Sequence, residues 1–393
     1  MNTRPPIASL VTAELPQTVA LRHELHQHPE LALQEHETAR RIRDSLAGTA
    51  ARILPPFLGT DVVALLDGRQ PGPNVTLRAD IDALPIQEHT SAAYASQTPG
   101  RMHACGHDGH TAMLVGAAHV LCALRDQWAG TVRCVFQPGE ELVAAGRDLV
   151  AKGALRDPAP AAVIAVHGWP GLPVGTIASR PGVVMAAADH FTITVLGKGA
   201  HGSRPEAAID PILVGAQIVA ALQSVVARRV SALDAVVLSV CRFTGGTNGN
   251  IIPDTAELEG TVRFLKPAVG ERLPEMIEQI VKGVCDTAGA AYRLDYRRPY
   301  IPTINNAKVV ALASRVVRAN LGHDAWADLE SPGMGAEDFS YYVREYPGAM
   351  FRLGLGTDRA GLHTPQFDFN DEALRNGITF LVAMALEVLG KPA

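Results

Sequence analysis

The stretch from Val132 to Trp169, VRCVFQPGEELVAAGRDLVAKGALRDPAPAAVIAVHGW, runs from one apolar β-rich segment through a helical one to a second apolar β-rich segment. Val132–Phe136 and Val163–Val166 have the length and β-branched content of buried strands, and the residues at about 142–152 have the spacing of a helix. Strands alternating with helices imply an α/β layer. Working outward, Val62–Leu66 and Val75–Ala79 are further runs of this kind, and a helical stretch at about 107–125 precedes the first. Residues 9–46 alternate apolar and charged positions at helical spacing with Pro29 as a break, which predicts two amphipathic helices. The fold class expected is therefore α/β with a mostly parallel sheet.

The pattern changes near Ser179–Pro181. From there it reads strand (Phe191–Leu196), helix (about 208–229), strand (Ala235–Phe243), strand (Glu257–Phe264), helix (about 270–288) and strand (Ala291–Arg297). That order, β-α-β-β-α-β, belongs to a split ferredoxin-like α+β unit. After Pro299 and Pro302 the alternation of helix and strand resumes, ending in a helix at about 371–389. The expected organisation is one domain formed by 1–180 and 299–393, with 181–298 inserted as a second, and no internal repeat is visible.

Composition narrows the function classes. A chain of 393 residues, 47% hydrophobic and 19% charged, can bury a large core, and a net charge of −5 without a Lys/Arg block carries no footprint for nucleic acid or an anionic membrane. Small molecules are the expected partners. The N-terminal residues include Arg4 but no apolar signal region, and no apolar run reads as a membrane span, so a cytoplasmic location is expected. Five scattered cysteines (105, 122, 134, 241, 285) argue for reduced thiols rather than a disulfide framework.

Five short segments concentrate the chemistry. MHACGHDGH, Met102–His110, offers Cys105, His107, Asp108 and His110 at a helix start, a density that favours metal ligation over incidental histidines; a Cys105 nucleophile is the other chemical reading. FQPGEE, Phe136–Glu141, ends a strand in two adjacent carboxylates, which suits one on a metal and one moving a proton. His167 ends an apolar strand, and His363 precedes a Pro turn and the final helix. With Cys105, His107 and a glutamate they complete five soft and borderline ligands, enough for two ions sharing a bridge. In LRADIDALP, Asp80 and Asp82 end another strand, and Asp82 is the candidate for orienting a ligand histidine from behind.

These segments, with LRHELHQHPEL, HGWPGLPVGTI, GKGAHGSRP, NGNIIPDTAELEGTVR, GMGAEDFSYY and LHTPQFDFN in order, give the chain a nearly end-to-end resemblance to the M20 metallopeptidase family. The branch resembled is that of hippurate hydrolases, N-acyl-amino-acid amidohydrolases and auxin-conjugate hydrolases. The resemblance implies an α/β catalytic domain with an inserted ferredoxin-like lid, a di-metal site, and hydrolysis of the amide bond of a small N-acyl amino acid. It places metal ligands on Cys105, His107, Glu141, His167 and His363, with the Cys105 thiolate bridging, and the general base on Glu140. It also assigns His201 to polarising the scissile carbonyl and Asn250 and Arg263 to the substrate carboxylate. Two divalent ions per chain are implied; the ligand set fits Zn²⁺ or Mn²⁺, and also Co²⁺ or Ni²⁺. A homodimer through the lid is the implied assembly. Gly139, Leu142–Gly146 and the residues HGSRPE depart from the usual family pattern, which bears on loop shape and substrate preference. The rival classes are a dipeptidase or carboxypeptidase using the same site, and a non-catalytic binding protein that would have no need of Glu140.

Overall fold

The computed structural model describes residues 6–390; Arg4 lies outside them. The chain divides into two compact units, one of residues 1–184, 303–331 and 338–393 and one of residues 185–302 and 332–337.

The first unit is built on an eight-stranded sheet. In spatial order its strands are Arg52–Ile53, Val62–Asp67, Thr131–Gln137, Asn74–Asp80, Ala162–Trp169, Gly348–Gly354, Ile177–Ser179 and Trp326–Asp328. The four central strands run parallel, with Asp80 level with Gln137 and His167 level with Arg352. Val62–Asp67 joins them antiparallel, as does Ile177–Ser179 on the other side. Strands such as Gly348–Gly354 are buried at every position, as expected where both faces of a parallel sheet are covered. The helices Ile7–Gln27, His107–Ala123 and Leu374–Leu389 pack on one another, and His107–Ala123 is buried almost all round.

The second unit has a four-stranded antiparallel sheet in the order Val236–Gly245, Thr255–Phe264, Ala187–Leu196, Ala291–Tyr300. Helices Pro211–Ser224 and Leu273–Ala288 pack together against it, giving the β-α-β-β-α-β order. Along Thr255–Phe264 buried residues alternate with more exposed ones, so one face is covered and one is open.

Three expectations need correction. The helix read at about 142–152 is broken at Ala144, whose φ of +53° splits it into Glu140–Val143 and Ala145–Ala151. Tertiary hydrogen bonds override local propensity there: Gly139 N–H goes to Glu35 and Gly146 N–H to Asp338. The helix read from about 208 begins at Pro211, capped by the Asp210 carboxylate on the N–H groups of Ile212 and Leu213, and ends in a π-helical turn, Val225–Arg229. Moreover, Pro211–Arg229 is long and apolar enough to cross a membrane by length and composition, because its only charges are the terminal Arg228 and Arg229. Here Val214, Ile218, Leu222 and Val225 enter the core of the second unit instead.

Candidate metal centre

The candidate ligands of the first unit converge because they sit at strand ends and helix starts of a parallel sheet, where such folds expose their chemistry. Asp80 closes one central strand, Glu140 and Glu141 open the short helix after a second, and His167 lies near the end of a third. Cys105 and His107 flank Gly106, whose φ of +89° suits glycine and where a Cβ would lie only 3.1 Å from the Phe369 ring. His363 itself adopts φ +61°.

The result is a tight group. Cys105 Sγ is 3.4 Å from His167 Nε2 and 3.3 Å from His363 Nε2. Glu141 Oε1 lies 3.1 Å from His363 Nε2 and 3.8 Å from His107 Nε2. The imidazoles are aimed from behind: His107 Nδ1–H donates to the Asp82 carbonyl at 2.8 Å and His167 Nδ1–H to the Gly168 carbonyl at 2.8 Å. Each thereby presents Nε2 to the group. Asp82 also holds the next ligand in place, since its Oδ2 accepts the Glu141 N–H at 3.0 Å. Cys105, His107, Glu140 and His167 are buried, and His363 is exposed.

His110 is excluded from ligation by its hydrogen bonds. The Gly168 N–H donates to its Nε2 at 2.7 Å, so Nδ1 carries the proton and donates to Asp80 Oδ1 at 2.6 Å. Both nitrogens are engaged, and the ring ties Asp80 to the strand bearing His167. Asp108 is likewise turned away, toward Arg22 and His26.

The electrostatics call for a cation. Burial would lower the His107 pKa, but Asp80, Asp82 and Glu141 outweigh it and push the imidazole up to about 10. Burial, with Glu141 and Glu140, pushes the Cys105 thiol well above its ordinary value. For Asp80, burial works against ionisation, yet His107, Arg78 and His110 hold the carboxyl well below the usual range. His107 Nε2 is buried without a hydrogen-bond partner. A buried group of carboxylates, a thiol and imidazole lone pairs, with one nitrogen orphaned, fits divalent ions: they would favour the thiolate and satisfy the nitrogen.

Some participants carried no assigned role in the sequence. Arg78 donates to Asp80 Oδ2 (2.7 Å), to Gln137 Oε1 (3.0 Å) and to Asp338 Oδ1 (2.9 Å). Glu35 is buried and accepts from Gly139 N–H and Thr60 Oγ1. The only sequence signal was that Arg78 and Asp338 fall within the segments RADIDALP and GMGAEDFSYY.

His201, Asn250 and Arg263 belong to the second unit. His201 pairs with Ile251 across a two-stranded ribbon, the Gly202 N–H donates to the Asn250 carbonyl at 2.7 Å, and His201 and Asn250 are exposed. Arg263 projects from the open face of the sheet, half-buried, and donates to Thr261 Oγ1. It is not brought together with His201. Arg263 is level with Ala188, whereas the His201 ribbon continues beyond Leu196 at the other end of the same strand, roughly 26 Å away at strand rise.

The family description Peptidase family M20/M25/M40 matches residues 76–387. An N-acetylcysteine deacetylase of Bacillus subtilis (strain 168) is 40% identical over 373 residues, covering 94% of this chain and 96% of the relative. An N-acyl-L-amino acid amidohydrolase of Geobacillus stearothermophilus is 42% identical over 303 residues, covering 77% of this chain and 82% of the relative. Among solved structures, the Bacillus subtilis YXEP protein, described as a dinuclear metal-binding peptidase, superposes with a TM-score of 0.82 at 37% identity, covering 96% of this chain and 99% of that one.

Proposed function

The chain belongs to peptidase family M20/M25/M40, and from that premise we propose that it is a metal-dependent amidohydrolase that cleaves N-acyl amino acids to a carboxylic acid and a free amino acid. The observation that carries this reading is the convergence of Cys105 Sγ with the Nε2 atoms of His167 and His363 beside Glu141, in a buried anionic group that fits divalent cations.

In this reading Cys105, His107, Glu141, His167 and His363 hold two divalent ions, Zn²⁺ or Mn²⁺ first and Co²⁺ or Ni²⁺ next by donor type. Such ions, when bound, polarise the amide carbonyl and lower the pKa of water at the site. Glu140, next to a ligand but not one itself, takes a proton from the attacking water and hands it to the departing nitrogen. Asp82 keeps His107 in its ligating orientation and anchors the Glu141 backbone. His201 polarises the carbonyl, while Asn250 and Arg263 read the substrate carboxylate, the guanidinium by its two-pronged donor geometry.

The inserted α+β unit acts as the lid, and the enzyme works in the cytoplasm. One small substrate cannot reach both His201 and Arg263 of the same chain, given the strand length between them. A homodimer in which a second copy supplies one of the two resolves this, and lid–lid assembly is the natural form.

The test is amine release from a panel of N-acyl amino acids and dipeptides by metal-loaded enzyme, chelated enzyme and Glu140→Gln. Metal-dependent release from N-acyl amino acids, abolished by the substitution, supports the proposal. Preference for dipeptides would make it a peptidase, and no release from any substrate with two ions bound would make it a binding protein.

A further inference from the structure

The turn that carries Glu140 is unusual in shape. Its single helical turn, Glu140–Val143, is bounded by two residues in the left-handed region, Gly139 at φ +62° and Ala144 at φ +53°. A non-glycine residue there is unfavourable in isolation, so the surroundings must impose it. They do so with buried carboxylates at both ends. Glu35 Oε1 takes the Gly139 N–H at 3.0 Å, and Asp338 Oδ2 takes the Gly146 N–H at 2.8 Å.

Asp338 does more than close the turn. Its carboxylate, fully buried, also receives Arg78 Nη2 at 2.9 Å and Gln137 Nε2 at 2.8 Å to each oxygen, so its lone pairs are committed to donors and its place is over-determined. Its own backbone N–H donates to Glu140 Oε1 at 3.3 Å. The packing against the turn is close: a Cβ at Gly146 would lie 2.9 Å from the Asp338 carboxylate carbon and 2.9 Å from Gln137 Oε1.

We infer that Asp338 is the positioning residue of the general base, its carboxylate locking the backbone N–H that orients the Glu140 carboxylate while pinning the far end of the turn. This rests on the proposed role of Glu140. Asp338 acts through the Glu140 carboxylate and the end of its turn, so its effect is on the direction of proton transfer rather than on metal retention. The side chain is a hub because Arg78 also fixes Asp80, so base and ligand scaffold share one cation.

Asp338→Asn replaces one acceptor with a donor that faces Gln137 Nε2 and either the Gly146 N–H or Arg78 Nη2. We expect kcat to fall on the order of 10- to 100-fold, as for a misaligned reacting group, with KM within about twofold. Metal content by atomic absorption should equal that of the parent, and the acid limb of the kcat–pH profile should move. In a Glu140→Asp background, where the shortened side chain no longer reaches the Asp338 N–H, the substitution should add no further loss. Unchanged kcat in folded protein, a fall matched by metal loss, or full additivity with Glu140→Asp would each overturn the inference. If Asp338→Asn does not fold, Gly146→Ala presses on the same carboxylate from the turn and is held to the same criteria. Glu140→Gln separates the two ideas: an active Glu140→Gln enzyme removes the role of Glu140 and this inference with it, whereas an inactive one beside a wild-type-like Asp338→Asn overturns this inference alone.

Discussion

The two sheets of this protein use the same backbone chemistry to opposite ends. The central strands of the first unit are buried on both faces, and the groups at their ends are held by charged side chains that are themselves buried, Arg78, Asp80 and Asp338 among them. The sheet of the second unit is covered on one face, and its candidate groups stand on the open face or in an exposed ribbon with few partners. Reactivity is thus expected to depend on precise orientation in the first unit and on presentation in the second.

The sharpest way to break that contrast is at Cys105. Cys105→Ala removes the atom on which two imidazoles converge, and we expect loss of bound metal together with at least about 10³-fold in kcat/KM, measured by metal analysis and steady-state assay. Retained metal with full activity would mean that the convergence has another purpose. In the second unit, His201→Ala and Arg263→Ala should each cost about 10²-fold or more as pure variants. Mixed after dissociation and reassociation, they should recover about a quarter of wild-type activity if each site draws the two residues from different chains. No recovery would place both residues in one chain's service, or neither.

Buried and exposed cations offer a gentler comparison. Arg22 is fully buried and donates to Asp108, Asp368 and Asp371 at 3.0, 2.6 and 2.7 Å. Arg22→Met would leave the buried Asp108 carboxylate without its guanidinium, and we expect a loss of about 3–5 kcal/mol in denaturant unfolding. Arg242, paired with Glu257 and Glu259 on the open sheet, is exposed, so Arg242→Ala should leave the unfolding midpoint unchanged within error.

His26 adds a pH signature to the same comparison. Burial would lower its pKa, but Asp108 and Glu88 outweigh burial and raise it to about 9. Because the folded value is above the ordinary one, its stabilising contribution is complete below about pH 6.5 and is lost as the pH rises through about 9. His26→Gln should flatten the fall in stability across that window, as read from unfolding curves at pH 6, 7.5 and 9; an unaltered slope would assign the fall to other groups.

Much of this was legible along the chain. Strand and helix types followed from hydrophobic period, and the candidate ligand types stood out by density, because Cys105, His107 and Glu141 lie in segments rich in donor side chains. Asp82 stood out as a candidate by its place just after a strand end, but the group that meets His107 Nδ1 at 2.8 Å is its backbone carbonyl, which residue type does not encode. What remained hidden depended on partners far apart in sequence. Neither the break at Ala144 nor the choice of Glu140 Oε1 by the Asp338 N–H has any local cue, because the groups that impose them are supplied from residues 35, 78, 137 and 338. The tautomer of His110 likewise depends on a backbone N–H 58 residues away.

Which residues can bind, move a proton or carry charge is already set by the order of amino acids, since side-chain chemistry and periodicity are local properties. Which nitrogen faces the group, which carboxylate is saturated with donors, and that His201 and Arg263 stand at opposite ends of one strand are set by the folded chain, because orientation and distance arise from contacts between segments that no local pattern encodes.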